Sequence, residues 1–134
     1  MERIMPLTNY YGQDYRLVMH ESWYRNGNLR LVLYDVDAED DPDPFAEITI
    51  DPGYKLQSRC AALNTEDCTF LIPFLNKFGL LEKKIGDYDY YSLKYPIYLF
   101  DELALELYDS DVPPVRKSQD DDLIIPPNYG RRII

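Results

Sequence analysis

Histidine, cysteine and glycine are scarce in this chain, and each shortage removes a class of chemistry. One histidine (His20) and two cysteines (Cys60 and Cys68) fall short of the ligand sets of structural and catalytic zinc sites. Two such cysteines read as buried thiols rather than a disulfide in a reducing compartment. Six scattered glycines form neither GxGxxG nor GxxxxGK, so no glycine-rich phosphate loop is present. Any nucleophile–histidine pairing would rest on His20 alone, which reads as a structural or surface residue in the first strand of a hairpin. No apolar run approaches the ~18 residues of a membrane span, and "MERIMPLTNYYGQ" lacks the apolar segment of a signal peptide. The expectation is a cytoplasmic protein that is not an enzyme and has no cofactor and no metal.

Positive charge is also short. Fourteen Lys and Arg against 24 Asp and Glu leave a formal charge of -10. That balance repels phosphate, so neither nucleic acid nor an anionic membrane is an expected direct partner. It fits solubility in general and a cationic protein partner in particular. Aromatic–basic interleaving of the kind that holds single strands is missing as well.

What the chain has in plenty is acid and tyrosine. The stretch "YDVDAEDDPDPFAEITI" carries six carboxylic side chains in the nine positions from Asp35 to Asp43. Three readings are open: a metal loop, a lure for a basic protein, or a hydrated turn. An EF-hand loop needs Gly at position 6 and a bidentate Glu at position 12. Counting from Asp35 puts Asp40 and Ala46 there, and counting from Asp37 puts Pro42 and Ile48, so both registers fail. As a nucleic-acid mimic the loop is sparse: nine extended residues reach roughly 30 Å, about one charge per 5 Å, against one per ~1.7 Å in a duplex. Asp and Pro also favour turns for purely local reasons. The 13 tyrosines suit core edges and binding surfaces alike, since each joins an apolar ring to a polar tip.

The chain reads as one α+β domain over residues 1–108, with an extended Pro- and charge-rich tail over 109–134. Asn26-Gly27 between two apolar-rich runs predicts a hairpin joining about 15–24 to 29–37 through a type I′ turn. Leu29, Leu31 and Leu33 mark its core face. "PFAEITID" predicts a third strand and "SRCAALN" a short fourth. Leu71, Phe74, Leu75 and Phe78 then fall at helical spacing. They predict one short helix over about 69–78, with Asn64, Thr65 or Thr69 as candidate caps, Glu66 and Asp67 near its start, Pro73 in its first turn and Gly79 as its stop. "LEKKIGDYDYYSLK" reads as a polar connection, "YPIYLF" as a strand, and "ELALELY" as a strand with helix as the alternative. The expected architecture is an antiparallel meander of about 4–6 strands with the helix packed on one face. In the tail, Leu123–Ile125 or Ile133–Ile134 could dock on the body or on a partner.

In order, "NLRLVLYD", "PFAEITID", "AALNTEDCTFLIPFLNKFGL" and "YPIYLFDELAL" resemble a family of small bacterial proteins of unknown function carried on conjugative elements and related mobile DNA. The resemblance covers about residues 28–107. Two departures, Pro73 and "KFGL" in place of Asn-Gly-Leu, bear on the helix length. It implies no catalytic residues. It does imply a mobile-element setting, in which small acidic proteins often inhibit host defence, as anti-CRISPR and anti-restriction proteins do.

The leading expectation is therefore a binding protein that sets an acidic, Tyr-bearing surface against a basic protein, such as a nucleic-acid-guided nuclease. Its candidate contacts are Asp35, Asp37, Glu39, Asp40, Asp41 and Asp43, with Tyr34, Tyr88, Tyr90 and Tyr91 as aromatic anchors. The alternatives are a self-associating accessory of a mobile element, working through its apolar tail, and a carboxylate-dependent hydrolase.

Overall fold

The alternation of Leu29, Leu31 and Leu33 with Arg30, Val32 and Tyr34 makes β3 (Leu29–Asp35) a strand with one fully apolar face. A computed structural model of the chain describes residues 3–38 and 44–110. In it β3 pairs antiparallel with β2 (Gln13–Trp23), Met19 opposite Leu33 and Glu21 opposite Leu31. The expected hairpin is there, but its turn differs. Gly27 alone of the Asn-Gly pair has a positive φ. Gly27 N–H donates to Tyr24 O and Tyr24 N–H to Asn28 O, the pattern of a three-residue loop with a glycine bulge rather than a type I′ turn. Two consecutive left-handed residues occur one hairpin earlier, at Tyr11 and Gly12, joining β2 to β1 (Met5–Tyr10), a strand the sequence reading did not anticipate.

The third expected strand is split. Its halves, β4 (Ala46–Glu47) and β5 (Thr49–Ile50), flank Ile48 and belong to different four-stranded sheets, one ordered β1-β2-β3-β4 and the other running from β5 through β6 (Cys60–Leu63) and β8 (Leu93–Phe100) to β7 (Leu81–Tyr90). Ile48 N–H donates to Leu31 O in the first sheet, while Ile48 O accepts from Asn64 N–H beside β6 (Cys60–Leu63) in the second. A single main core lies between the sheets, and Ile48, Leu63, Leu71, Leu75 and Phe100 join Leu31 and Leu33 there without solvent exposure.

The polar run after residue 80 is a correction. It is not a connection but β7 (Leu81–Tyr90), which forms a hairpin with β8 (Leu93–Phe100). β7 is the outer strand of its sheet, and two register irregularities and the exposed Lys83 and Lys84 lie along it. Those features blunt an edge that would otherwise template aggregation.

The predicted helix is α1 (Leu71–Lys77), shorter than 69–78. Pro73 sits in its first turn, where a missing N–H costs nothing. Phe70 is the N-cap and provides no side-chain hydrogen bond, so none of the three candidate caps acts, and Glu66 and Asp67 stand outside the first turn. The stop is as expected: Gly79 has φ +71, Gly79 N–H donates to Asn76 O and Leu80 N–H to Leu75 O. That is a Schellman closure, with Leu75 and Leu80 both buried in the core. "ELALELY" is a second helix, α2 (Glu102–Tyr108), where one helix had been expected. Asp101 caps it, accepting from Ala104 N–H at 2.9 Å.

Beyond residue 108 the chain still meets the body. Asp109 bridges Met19 in parallel, and Ser110 N–H donates to Met19 O at 2.7 Å. His20 Nδ1 lies 2.8 Å from Ser110 O, which gives the lone histidine a structural partner. The remainder of the expected tail, including Leu123–Ile125 and Ile133–Ile134, lies outside the described residues. Among the described residues no helix is long and apolar enough to cross a membrane.

Candidate functional site

The register of the β7–β8 hairpin decides where the tyrosines go. Tyr88 opposes Tyr95 and Tyr90 opposes Leu93, so all four side chains lie on one face of the second sheet. Tyr88 and Tyr95 stack with centroids 5.9 Å apart, Tyr90 follows at 6.2 Å from Tyr88, and Tyr91 meets Tyr90 at 4.7 Å. Tyr54 closes the layer from the β5–β6 loop, edge-on to Tyr88 at 6.1 Å. Beneath lie Cys60, Ala62 and Ile97, a second apolar cluster on the opposite side of the sheet from the main core. The rings shield that cluster while keeping outer surface of their own: Tyr54 is 50% exposed, Tyr90 51% and Tyr91 91%.

Tyr54 is placed by a polar clasp. Asn28, buried, donates through Nδ2 to Tyr54 O at 2.7 Å and to Asp51 Oδ1 at 3.1 Å, and accepts from Leu56 N–H at 2.8 Å. Burial pushes the Asp51 carboxyl up, but hydrogen bonds from Asn26, Gly53 and Asn28 outweigh it and hold the group below the usual carboxylate range.

The nearby acids divide between the two faces of the hairpin, Asp87 and Asp89 alternating away from Tyr88 and Tyr90. Asp87 pairs with Lys84 at 3.1 Å and Asp89 with Lys94 at 2.9 Å. Glu66 and Asp67 are exposed in the turn before α1, and among the described residues no ion pair engages them. Burial raises the Tyr95 phenol, and the Asp67 and Glu66 charges raise it further, which places both carboxylates within electrostatic reach of the ring.

The expected contact set divides. Tyr88, Tyr90 and Tyr91 come together as described. Tyr34 and Asp35 end β3 in the first sheet and Asp37 lies in the turn just after it, whereas the ring layer is on the second sheet. Tyr34 is half-buried beside Arg30 and Glu47, and burial pushes its phenol up. Asp35 accepts from Asp37 N–H at 2.9 Å, a local turn bond. Asp37 takes a bidentate fork from Arg16, at 2.7 Å from Nη2 and 3.1 Å from Nε, and that hydrogen bonding holds its carboxyl low. Both partners are more than half exposed, so the pair orients the start of the loop and adds little stability. Glu39, Asp40, Asp41 and Asp43 lie outside the described residues. Tyr54, Tyr95, Glu66 and Asp67 were missed. The period-2 spacing of Tyr88 and Tyr90 was the available signal for a shared face.

A cleft of about 480 Å³ opens elsewhere, between the end of β2, the β5–β6 loop and α2. Glu21, Arg59, Glu102, Glu106 and Asp109 line it. Arg59 is committed to its own framework, donating to Phe100 O at 2.8 Å. Asp109 accepts from Glu21 N–H at 2.8 Å. Burial, then the Asp109 charge, pushes the Glu21 carboxyl up against a smaller opposing effect of His20. A raised folded-state value means that folding favours the protonated acid: the contribution is full below the unfolded value and is lost as pH rises through the folded one. Glu21→Gln is therefore expected to melt above the parent at pH 7, with the gap closing in acid. Thermal melts at pH 7 and at about pH 4 check this, and a lower melting point at pH 7 would overturn it. Among the described residues no three of His, Cys, Asp and Glu gather to hold a metal ion. No protein-family model, curated protein or solved structure matches the chain.

Proposed function

We propose that the chain is a non-enzymatic binding protein that sets an acidic, tyrosine-bearing surface against a basic protein. The observation that carries this reading is the continuous ring layer of Tyr54, Tyr88, Tyr90 and Tyr95 on one face of the second sheet, with the exposed Glu66 and Asp67 acting on Tyr95. Tyrosine offers a large contact area at low entropic cost and is enriched at interface centres. The formal charge of -10 steers a cationic partner and repels nucleic acid. The setting is the cytoplasm, and the partner is a nucleic-acid-binding nuclease of host defence whose basic groove the protein occupies, in the manner of anti-CRISPR and anti-restriction inhibitors. The resemblance of residues 28–107 to proteins of mobile elements supports that setting.

Capture of host proteins on immobilised protein at low and high salt tests the reading. A basic nuclease held at about 50 mM salt and released at about 500 mM is the expected result, because screening removes charge steering. Tyr90→Ser with Tyr91→Ser should weaken capture at least about tenfold, the scale of interface hot spots. Asp40, Asp41 and Asp43 changed together to Asn measures the share of the acidic loop. Capture of no basic protein, or capture indifferent to salt, sinks the reading.

A further inference from the structure

We propose that the tyrosine face recognises arginine, presented at alternate positions of an extended partner segment. The inference rests on the reading that this face meets a basic protein, and it names the chemistry of the contact. Tyr54, Tyr95 and Tyr90 lie 6.1, 5.9 and 6.2 Å from Tyr88. Alternate side chains of an extended strand lie about 6.6–6.8 Å apart, so a segment of the form Arg-x-Arg presents its side chains at nearly the spacing of the rings. A guanidinium is flat, weakly hydrated and stacks on a ring face, whereas an ammonium is a compact, strongly hydrated point charge. A layer of rings with little depth therefore favours Arg over Lys.

The carboxylates sort themselves to match. Asp87 and Asp89 are occupied by the protein's own lysines. Glu66 and Asp67, exposed in the turn that follows β6, the strand paired with β8, and engaged in no ion pair among the described residues, supply the negative charge that draws a guanidinium to this face. Stacked bases would fit the same rings, but a phosphate backbone would have to approach these carboxylates against the overall negative charge.

Two peptides of equal length, Arg-Thr-Arg-Thr-Arg and Lys-Thr-Lys-Thr-Lys, and a short oligothymidylate, titrated into the whole protein with tyrosine-ring NMR as the readout, test this. The arginine peptide should bind at least about fivefold tighter than the lysine peptide, a modest cation–π margin, and shift the ring signals of Tyr54, Tyr88, Tyr90 and Tyr95. Tyr54→Leu and Tyr90→Leu, which keep apolar bulk over the sheet, should erase the preference. Asp67→Asn should weaken the arginine peptide while the stacking shifts persist. Equal, salt-sensitive binding of both peptides overturns the arginine inference and leaves the acidic-surface reading standing. Binding of neither peptide, or tighter binding of the oligothymidylate, overturns both.

Discussion

Asn28→Ala is expected to destabilise the fold by about 2–4 kcal/mol, lowering the melting point by roughly 10–20 °C. The side chain is buried and makes hydrogen bonds to Asp51, Tyr54 and Leu56. Alanine would leave the Tyr54 carbonyl and the Leu56 N–H, both only partly buried, without these partners, and losing the partner of such a group costs about 1–3 kcal/mol. The damage reaches the ring layer, because this clasp holds the loop that carries Tyr54. Asn28→Asp separates the parts of the effect. It keeps the acceptor for Leu56 but loses both donors and sets a second carboxylate against Asp51. It should therefore be no better than alanine at pH 7 and recover as pH falls. Chemical denaturation of the three proteins measures this, and an alanine variant within about 0.5 kcal/mol of the parent would mean that water replaces the clasp.

Phe100→Ala should cost still more, about 3–5 kcal/mol. Phe100 ends β8 with no exposed surface, in the core shared by both sheets and both helices. Its backbone bonds, N–H to Arg59 O at 2.8 Å and O from Arg59 Nη1 at 2.8 Å, survive the substitution, so the loss reports packing alone. Phe100→Leu leaves most of the volume filled and should cost about 1–1.5 kcal/mol. A domain holding only about 5–15 kcal/mol in total would be close to unfolding with the cavity in place. The midpoint of urea unfolding should fall with its slope unchanged, and a loss below about 1 kcal/mol would place Phe100 outside the energetic core.

The elements legible in the sequence are those whose burial is one-sided and whose ends carry local chemistry. β3 has its leucine alternation, and α1 has its apolar stripe and Gly79. β7 was not legible, because an edge strand with Lys83, Lys84, Ile85 and Asp87 exposed shows no period-2 contrast in hydropathy. α2 was ambiguous because Leu103, Leu105 and Leu107 alternate like a strand. Yet only Leu105 of the three is buried, with Ala104 beside it, and the Asp101 cap selects the helix. The split at Ile48 is invisible locally. Ala46 and Ile48 face the main core, while Ile50 turns to the second apolar cluster, and only the partner strands dictate that change. For the site, counting acids in sequence pointed to Asp35 and Asp37, whose carboxylates already serve a turn and Arg16. Ring contacts across β7, β8 and a distant loop need the fold.

The residue between β4 and β5 has a consequence for how the molecule comes apart. Since Ile48 gives its amide to one sheet and its carbonyl to the other, melting either sheet pulls the shared strand away from its neighbour and opens the common core from that side. The two halves therefore rise and fall as one cooperative unit rather than as separable foldons. An aromatic face borne on one half thereby inherits its rigidity from the whole.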